Sequence, residues 1–77
     1  MDISDAVRII RCNCLLSQQE FADVLGVSFS TVNRWENGKA VPNYQKIKKL
    51  LDFCKNNNVP FTIILQEWQD NRVMNKG

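Results

Sequence analysis

The run Gly26-Val27-Ser28-Phe29-Ser30-Thr31-Val32-Asn33-Arg34-Trp35-Glu36-Asn37-Gly38-Lys39 constrains this chain more than any other stretch. Gly26 suits the left-handed residue that closes a helix. Ser28 is an N-cap residue. Val27 before it and Val32 at the fourth helical position have the spacing of a hydrophobic staple. Asn37-Gly38 stops the segment. Val32 and Trp35 form its core face, and Phe29, Ser30, Asn33 and Arg34 its outer face. Just upstream, Ser17-x-x-Glu20 is a capping box, in which Ser17 and Glu20 satisfy orphan backbone donors reciprocally. The helix it opens buries Phe21, Ala22 and Leu25. The spacing therefore predicts two short helices joined by a glycine turn.

The remainder also reads as helix. Asp2 or Ser4 caps a first helix of roughly ten residues, with Ile3, Ala6, Val7 and Ile10 at helical spacing. Lys39-Ala40-Val41-Pro42-Asn43 is a loop. Asn43 or Pro42 begins a fourth helix with Tyr44, Ile47, Leu50, Leu51 and Cys54 on one face, and Asn56-Asn57-Asn58 breaks it. Phe61, Ile64, Leu65 and Trp68 fit a fifth helix starting near Pro60. Val59, Phe61, Ile63 and Leu65 also alternate like a strand, but a lone strand has no partner here, so helix is preferred. The expected fold class is all-α: a compact bundle of about five helices over residues 1–70, with 71–77 as a frayed tail.

Size and composition narrow the classes. Seventy-seven residues, 44% of them apolar, make one small ordered domain with a modest core. No run of ~18 apolar residues is present to span a bilayer. The N-terminus is acidic where a secretion signal would be basic, so a cytoplasmic location is expected. The 3 cysteines, Cys12, Cys14 and Cys54, are odd in number and too few for a disulfide scaffold. With no histidine to complete a zinc set, no metal or cofactor is expected, and the cysteines read as reduced fillers. The net charge of +2 is uneven: residues 25–55 carry +4 while residues 1–24 carry −2. A local basic footprint is what a phosphate backbone attracts.

Two short helices with a glycine turn between them form the layout of a helix-turn-helix, whose second helix lies in the major groove of DNA. The run Leu16 to Ser28, continuing through Thr31-Val32 to Arg34-Trp35-Glu36-Asn37-Gly38-Lys39 and Pro42, resembles the Cro and phage-repressor (Xre-type) family. Gln18, Ala22, Gly26, Val32, Trp35, Glu36, Gly38 and Pro42 sit at the family's spacing. The resemblance covers about residues 3–55 and implies a bundle of four or five helices that binds a double-stranded DNA operator as a two-fold dimer. It also implies that Gln18 donates to a phosphate and that Glu36 pairs with Arg11 to orient helix three. Val41, Pro42 and Asn43 stand where some members place a basic residue that enters the minor groove. Phe29 stands where several members carry a polar reader.

The candidate DNA-binding residues are Gln18, Ser28, Phe29, Ser30, Thr31, Asn33, Arg34, Asn37, Lys39 and Tyr44. Arg34 can donate its fork to guanine O6 and N7, or meet a phosphate. Ser30 and Asn33 can bond base edges or phosphates, and asparagine suits adenine. Phe29 packs on a thymine methyl or folds back onto helix two. Ser28, Thr31, Asn37 and Lys39 are candidates for the DNA backbone. Tyr44 offers its hydroxyl to a phosphate or its ring to the core. Trp35 is mainly core. Phe61, Ile64, Leu65 and Trp68 are expected to cover the core in part and to form a weak dimer contact completed on DNA.

Enzyme chemistry finds no support, since there is no nucleophile elbow, phosphate-binding glycine loop or histidine. The reading is a transcriptional regulator, a repressor by expectation. The alternative is a protein-interaction module, such as an antitoxin or adaptor, whose partner is an unidentified protein.

Overall fold

The computed structural model describes residues 3–62 and 64–69. Four helices follow in order: α1 (Ile3–Asn13), α2 (Gln18–Leu25), α3 (Phe29–Glu36) and α4 (Tyr44–Asn56). A fifth, α5, covers 62 and 64–69, and its first turn closes with the Leu65 amide donating to the Phe61 carbonyl at 3.1 Å. Among the described residues there is no strand, so the helical reading of this segment holds. The expected tail 71–77, and Asp2 as an alternative cap of α1, lie outside the described residues.

Caps set where the chain turns. Ser17 Oγ accepts the Glu20 amide at 3.0 Å, and Glu20 Oε1 accepts the Ser17 amide at 2.9 Å, completing the capping box. These bonds hold the exposed Glu20 carboxyl below its ordinary value. Ser28 caps α3 through the Thr31 amide at 3.2 Å, and Asn43 caps α4 through the Lys46 amide at 2.9 Å. Ser4 is not the cap of α1: it lies inside that helix and is buried.

The four long helices end alike. In each, an amide beyond the end reaches back five residues to a carbonyl in the last turn: Leu16 to Arg11, Val27 to Ala22, Lys39 to Arg34, Val59 to Cys54. This is the Schellman closure, and it needs one residue in the left-handed region. Gly26 (φ 71°), Gly38 (φ 72°) and Asn58 (φ 56°) suit that conformation. Leu15 (φ 58°) does not, and its side chain is 91% exposed.

The core takes one stripe from every helix. Ile3, Ala6, Val7 and Ile10 of α1 meet Phe21, Ala22 and Leu25 of α2 and Val32 and Trp35 of α3. Ile47, Leu50, Phe53 and Cys54 of α4 and Ile64 and Trp68 of α5 complete it. Phe21 and Phe53 pack edge to face, with ring centroids 5.3 Å apart. Tyr44 leaves the stripe expected of it and is 61% exposed. Fully buried Pro42 and the Trp68 indole occupy the core at the start of α4, so the Tyr44 ring leans on Trp68 from outside, at 6.2 Å. Phe53 takes the core position instead. Trp68 Nε1–H donates to the Pro42 carbonyl at 2.6 Å, which ties α5 to the loop after α3.

Candidate nucleic-acid interface

The site is built where α2 begins and α3 runs past it. A Gly26 turn of this tightness brings the two helices into direct contact, and a polar network bonds them. Arg11, in the last turn of α1, grips Glu36 with two bonds, Nε to Oε2 at 2.7 Å and Nη2 to Oε1 at 3.0 Å. Its Nη1 donates to the Leu16 carbonyl at 2.9 Å, fixing the chain that enters α2. Glu36 is almost fully buried. Burial pushes its carboxyl up, but the Arg11 and Gln18 hydrogen bonds and the guanidinium charges of Arg11 and Arg8 outweigh that. It is held below its ordinary 4.5. The hydrogen bond to Glu36 also raises the Arg11 guanidinium above its ordinary value. The pairing implied by the resemblance is therefore present. It neutralises the one carboxylate of α3, which would otherwise repel an approaching phosphate.

Gln18 does not stand free at the start of α2. Its Nε2 donates to Glu36 Oε1 at 2.9 Å, and its Oε1 accepts from Asn33 Nδ2 at 3.1 Å. Asn37 Nδ2 in turn donates to Asn33 Oδ1 at 3.1 Å and to the Asn33 carbonyl at 2.9 Å. Gln18, Asn33 and Asn37 thus form one chain across both helices. The i, i+4 spacing of Asn33 and Asn37 is the signal that could have revealed that step, though the sequence reading did not use it. Arg11's second grip, on Leu16, left no sequence signal beyond helical position.

The other candidates fall into two groups. Ser28, Ser30 and Thr31 cluster at the N-terminus of α3, where Ser28 Oγ lies 3.1 Å from Ser30 Oγ and 2.8 Å from Thr31 Oγ1. Phe29, beside them, is 45% exposed. Arg34 and Lys39 are exposed, with no ion-pair partner among the described residues, and the Lys39 amide closes onto the Arg34 carbonyl at 2.9 Å. Arg34 on the outer face of α3 and Lys39 just beyond the helix are thus two cations without an ion-pair partner among the described residues. Tyr44 lies apart, past the loop, with Lys48 Nζ 5.6 Å from its ring centroid. Trp35 is core. The expected dimer residues divide: Ile64 and Trp68 are buried in the single chain, while Phe61 and Leu65 are half-buried at its edge. Among the described residues no cluster of acidic, cysteine or histidine side chains could hold a metal ion. No helix there is long and apolar enough to cross a membrane.

A family model described as helix-turn-helix matches residues 7–56. The chain belongs to the helix-turn-helix family of the Cro and C1 type. It is also similar to the HTH-type transcriptional activator BcrR of Enterococcus faecalis, at 30% identity over 53 residues. That alignment takes in 69% of this chain but only 26% of the relative, so the chain spans about a quarter of that protein's length. No solved structure matches. Family and relative together support DNA-binding transcription regulation as the general activity of this helix-turn-helix domain.

Proposed function

We propose that this domain is a sequence-specific reader of double-stranded DNA, with α3 in the major groove and the start of α2 and the Lys39 loop against the backbone. The observation that carries it is the outer face of α3. Ser30, Asn33 and Arg34 stand on it, with Lys39 exposed just beyond the helix, while the only carboxylate of the helix is neutralised behind it by Arg11. Arg34 is the guanine reader. Ser28, Thr31, Lys39 and the Tyr44 hydroxyl are backbone contacts, and Phe29 meets a thymine methyl. Gln18 keeps one N–H beyond its internal bonds, enough for a phosphate.

One short helix in one groove gives limited affinity, so the domain acts as a two-fold dimer on half-sites about one helical turn apart. The apolar edge left for that contact is Phe61 and Leu65, with exposed Val41 and Tyr44 nearby. So small an edge gives a weak dimer that forms fully only on DNA. Occlusion of a promoter by the bound dimer gives repression. A second reading, activation, is favoured by the likeness to a transcriptional activator, and a reporter with the selected site placed over or upstream of the promoter separates the two.

Gel shift across salt tests the whole reading. Arg34→Ala weakens operator binding by about 1–3 kcal/mol and relaxes one base position. Lys39→Ala weakens all DNA alike and flattens the salt slope by about one unit. Sedimentation of Leu65→Lys with and without operator tests the dimer: a wild type that stays monomeric on DNA refutes it. Absence of any salt-dependent DNA binding refutes the reading and favours a protein partner.

A further inference from the structure

The amide chain across α2 and α3 has a direction. Glu36 is ionised and can only accept, so Gln18 must turn its NH2 toward it, at 2.9 Å. The Gln18 oxygen then faces Asn33 and accepts from Nδ2, at 3.1 Å. Asn33 Oδ1 consequently faces the other way and accepts from Asn37, at 3.1 Å. A buried carboxylate thus orders three successive amides, and no link can flip without breaking its neighbours.

Asn33 is half-buried, between the outer face of α3 and the start of α2. Of its two N–H groups one is taken by Gln18, and of its two oxygen lone pairs one is taken by Asn37. One donor and one acceptor remain. Adenine shows the major groove one acceptor, N7, and one donor, the N6 amino group. Guanine shows two acceptors, N7 and O6, and would need the second N–H that Gln18 holds. Resting on the DNA-binding reading above, we propose that Asn33 is an adenine-specifying side chain whose amide is held in one orientation by Gln18 and Asn37 as positioning residues. Arg34, with several donors and no acceptor, divides the labour as the guanine reader on the same face.

The experiment is selection of bound sequences from a random double-stranded pool by the wild-type chain, Asn33→Ala and Asn37→Ala, followed by binding to sites carrying base analogues. The wild type selects an adenine at one position of each half-site. Replacing that base by 7-deazaadenine, which lacks the N7 acceptor, or by purine, which lacks the amino group, weakens wild-type binding about 10-fold each. Neither analogue affects Asn33→Ala, which loses the adenine column and keeps the others. Asn37→Ala keeps the other selected columns but loses most of its preference for adenine over guanine. Analogues that bind the wild type as well as adenine does overturn the assignment without recourse to any variant. An adenine column that survives Asn33→Ala also overturns it, and one that survives Asn37→Ala overturns the positioning role. A pool from which the wild type retains nothing overturns the DNA-binding reading itself.

Discussion

Glu36→Gln tests the joint that holds α2 and α3 on the bundle. The Glu36 side chain is 3% exposed and that of Arg11 16%. Three bonds converge on this carboxylate, two from Arg11 and one from Gln18. Glutamine keeps the shape and one acceptor oxygen but removes the charge. Charge-assisted bonds are roughly twice as strong as neutral ones. Removing one partner of a buried pair outright costs ~3–5 kcal/mol, so with one acceptor kept the loss should be about 2–3 kcal/mol. A domain of this length is stable by about 4–12 kcal/mol, so the change is a large fraction of the margin. Melting followed by circular dichroism near neutral pH should fall by about 10–20 °C. The pH dependence gives an internal control. The folded carboxyl sits below 4.5, so its stabilisation is present above the unfolded value and is lost as pH falls through the folded one. The gap between wild type and Glu36→Gln should accordingly narrow below about pH 4.5, although Glu20 leaves both proteins some acid sensitivity. A variant that melts within about 2 °C of wild type, against the ~4–8 °C expected per kcal/mol, would refute the reasoning. So would a gap that persists unchanged into acid.

Three further outcomes follow from single positions. Leu15→Gly removes a side chain that packs on almost nothing and relieves a left-handed backbone, so urea unfolding should show a gain of about 0.5–1 kcal/mol; a loss would mean that Leu15 is held by contacts. Trp68→Phe keeps most of the ring but removes the donor to the Pro42 carbonyl, and should cost about 1 kcal/mol by the same measurement. Cys54 is pushed up to about 11 by burial and by the charge of Cys14. In native protein near neutral pH it should therefore resist a thiol-exchange reagent that labels exposed Cys12 at once, and a Cys54 that reacts as fast as Cys12 would contradict its burial.

What was legible in the sequence was local. Ser17, Ser28, Asn43, Gly26, Gly38 and Asn58 each act within a few residues of themselves, so residue type and spacing sufficed to place the starts of α2, α3 and α4 and three of the helix ends. The end of α1 gave no such signal, because a leucine holds the position that normally reveals itself by glycine. Periodicity placed Ile47, Leu50 and Cys54 inside but misplaced Tyr44, since what fills the core beside it is Pro42 from a loop and Trp68 from 24 residues downstream. At the site, the identity of the exposed α3 residues could be read, but their partners could not. Gln18 and Asn33 are 15 residues apart, and only the closeness of α2 to α3 makes Gln18 a brace for its neighbour.

The family match spans 7–56, yet three large side chains of the buried core, Ile3, Ile64 and Trp68, fall outside it, as does the smaller Ala6. Burial of each of the three large ones is worth about 1.5–3 kcal/mol, and together they rival the whole margin of a domain this size. The recognisable motif is therefore smaller than the unit that can be inherited. A gene fusion that carried off only the helix-turn-helix segment would acquire the outer face of α3 without the means to keep it folded. Recombination can move this module between proteins only in pieces that reach from α1's first turn through Trp68.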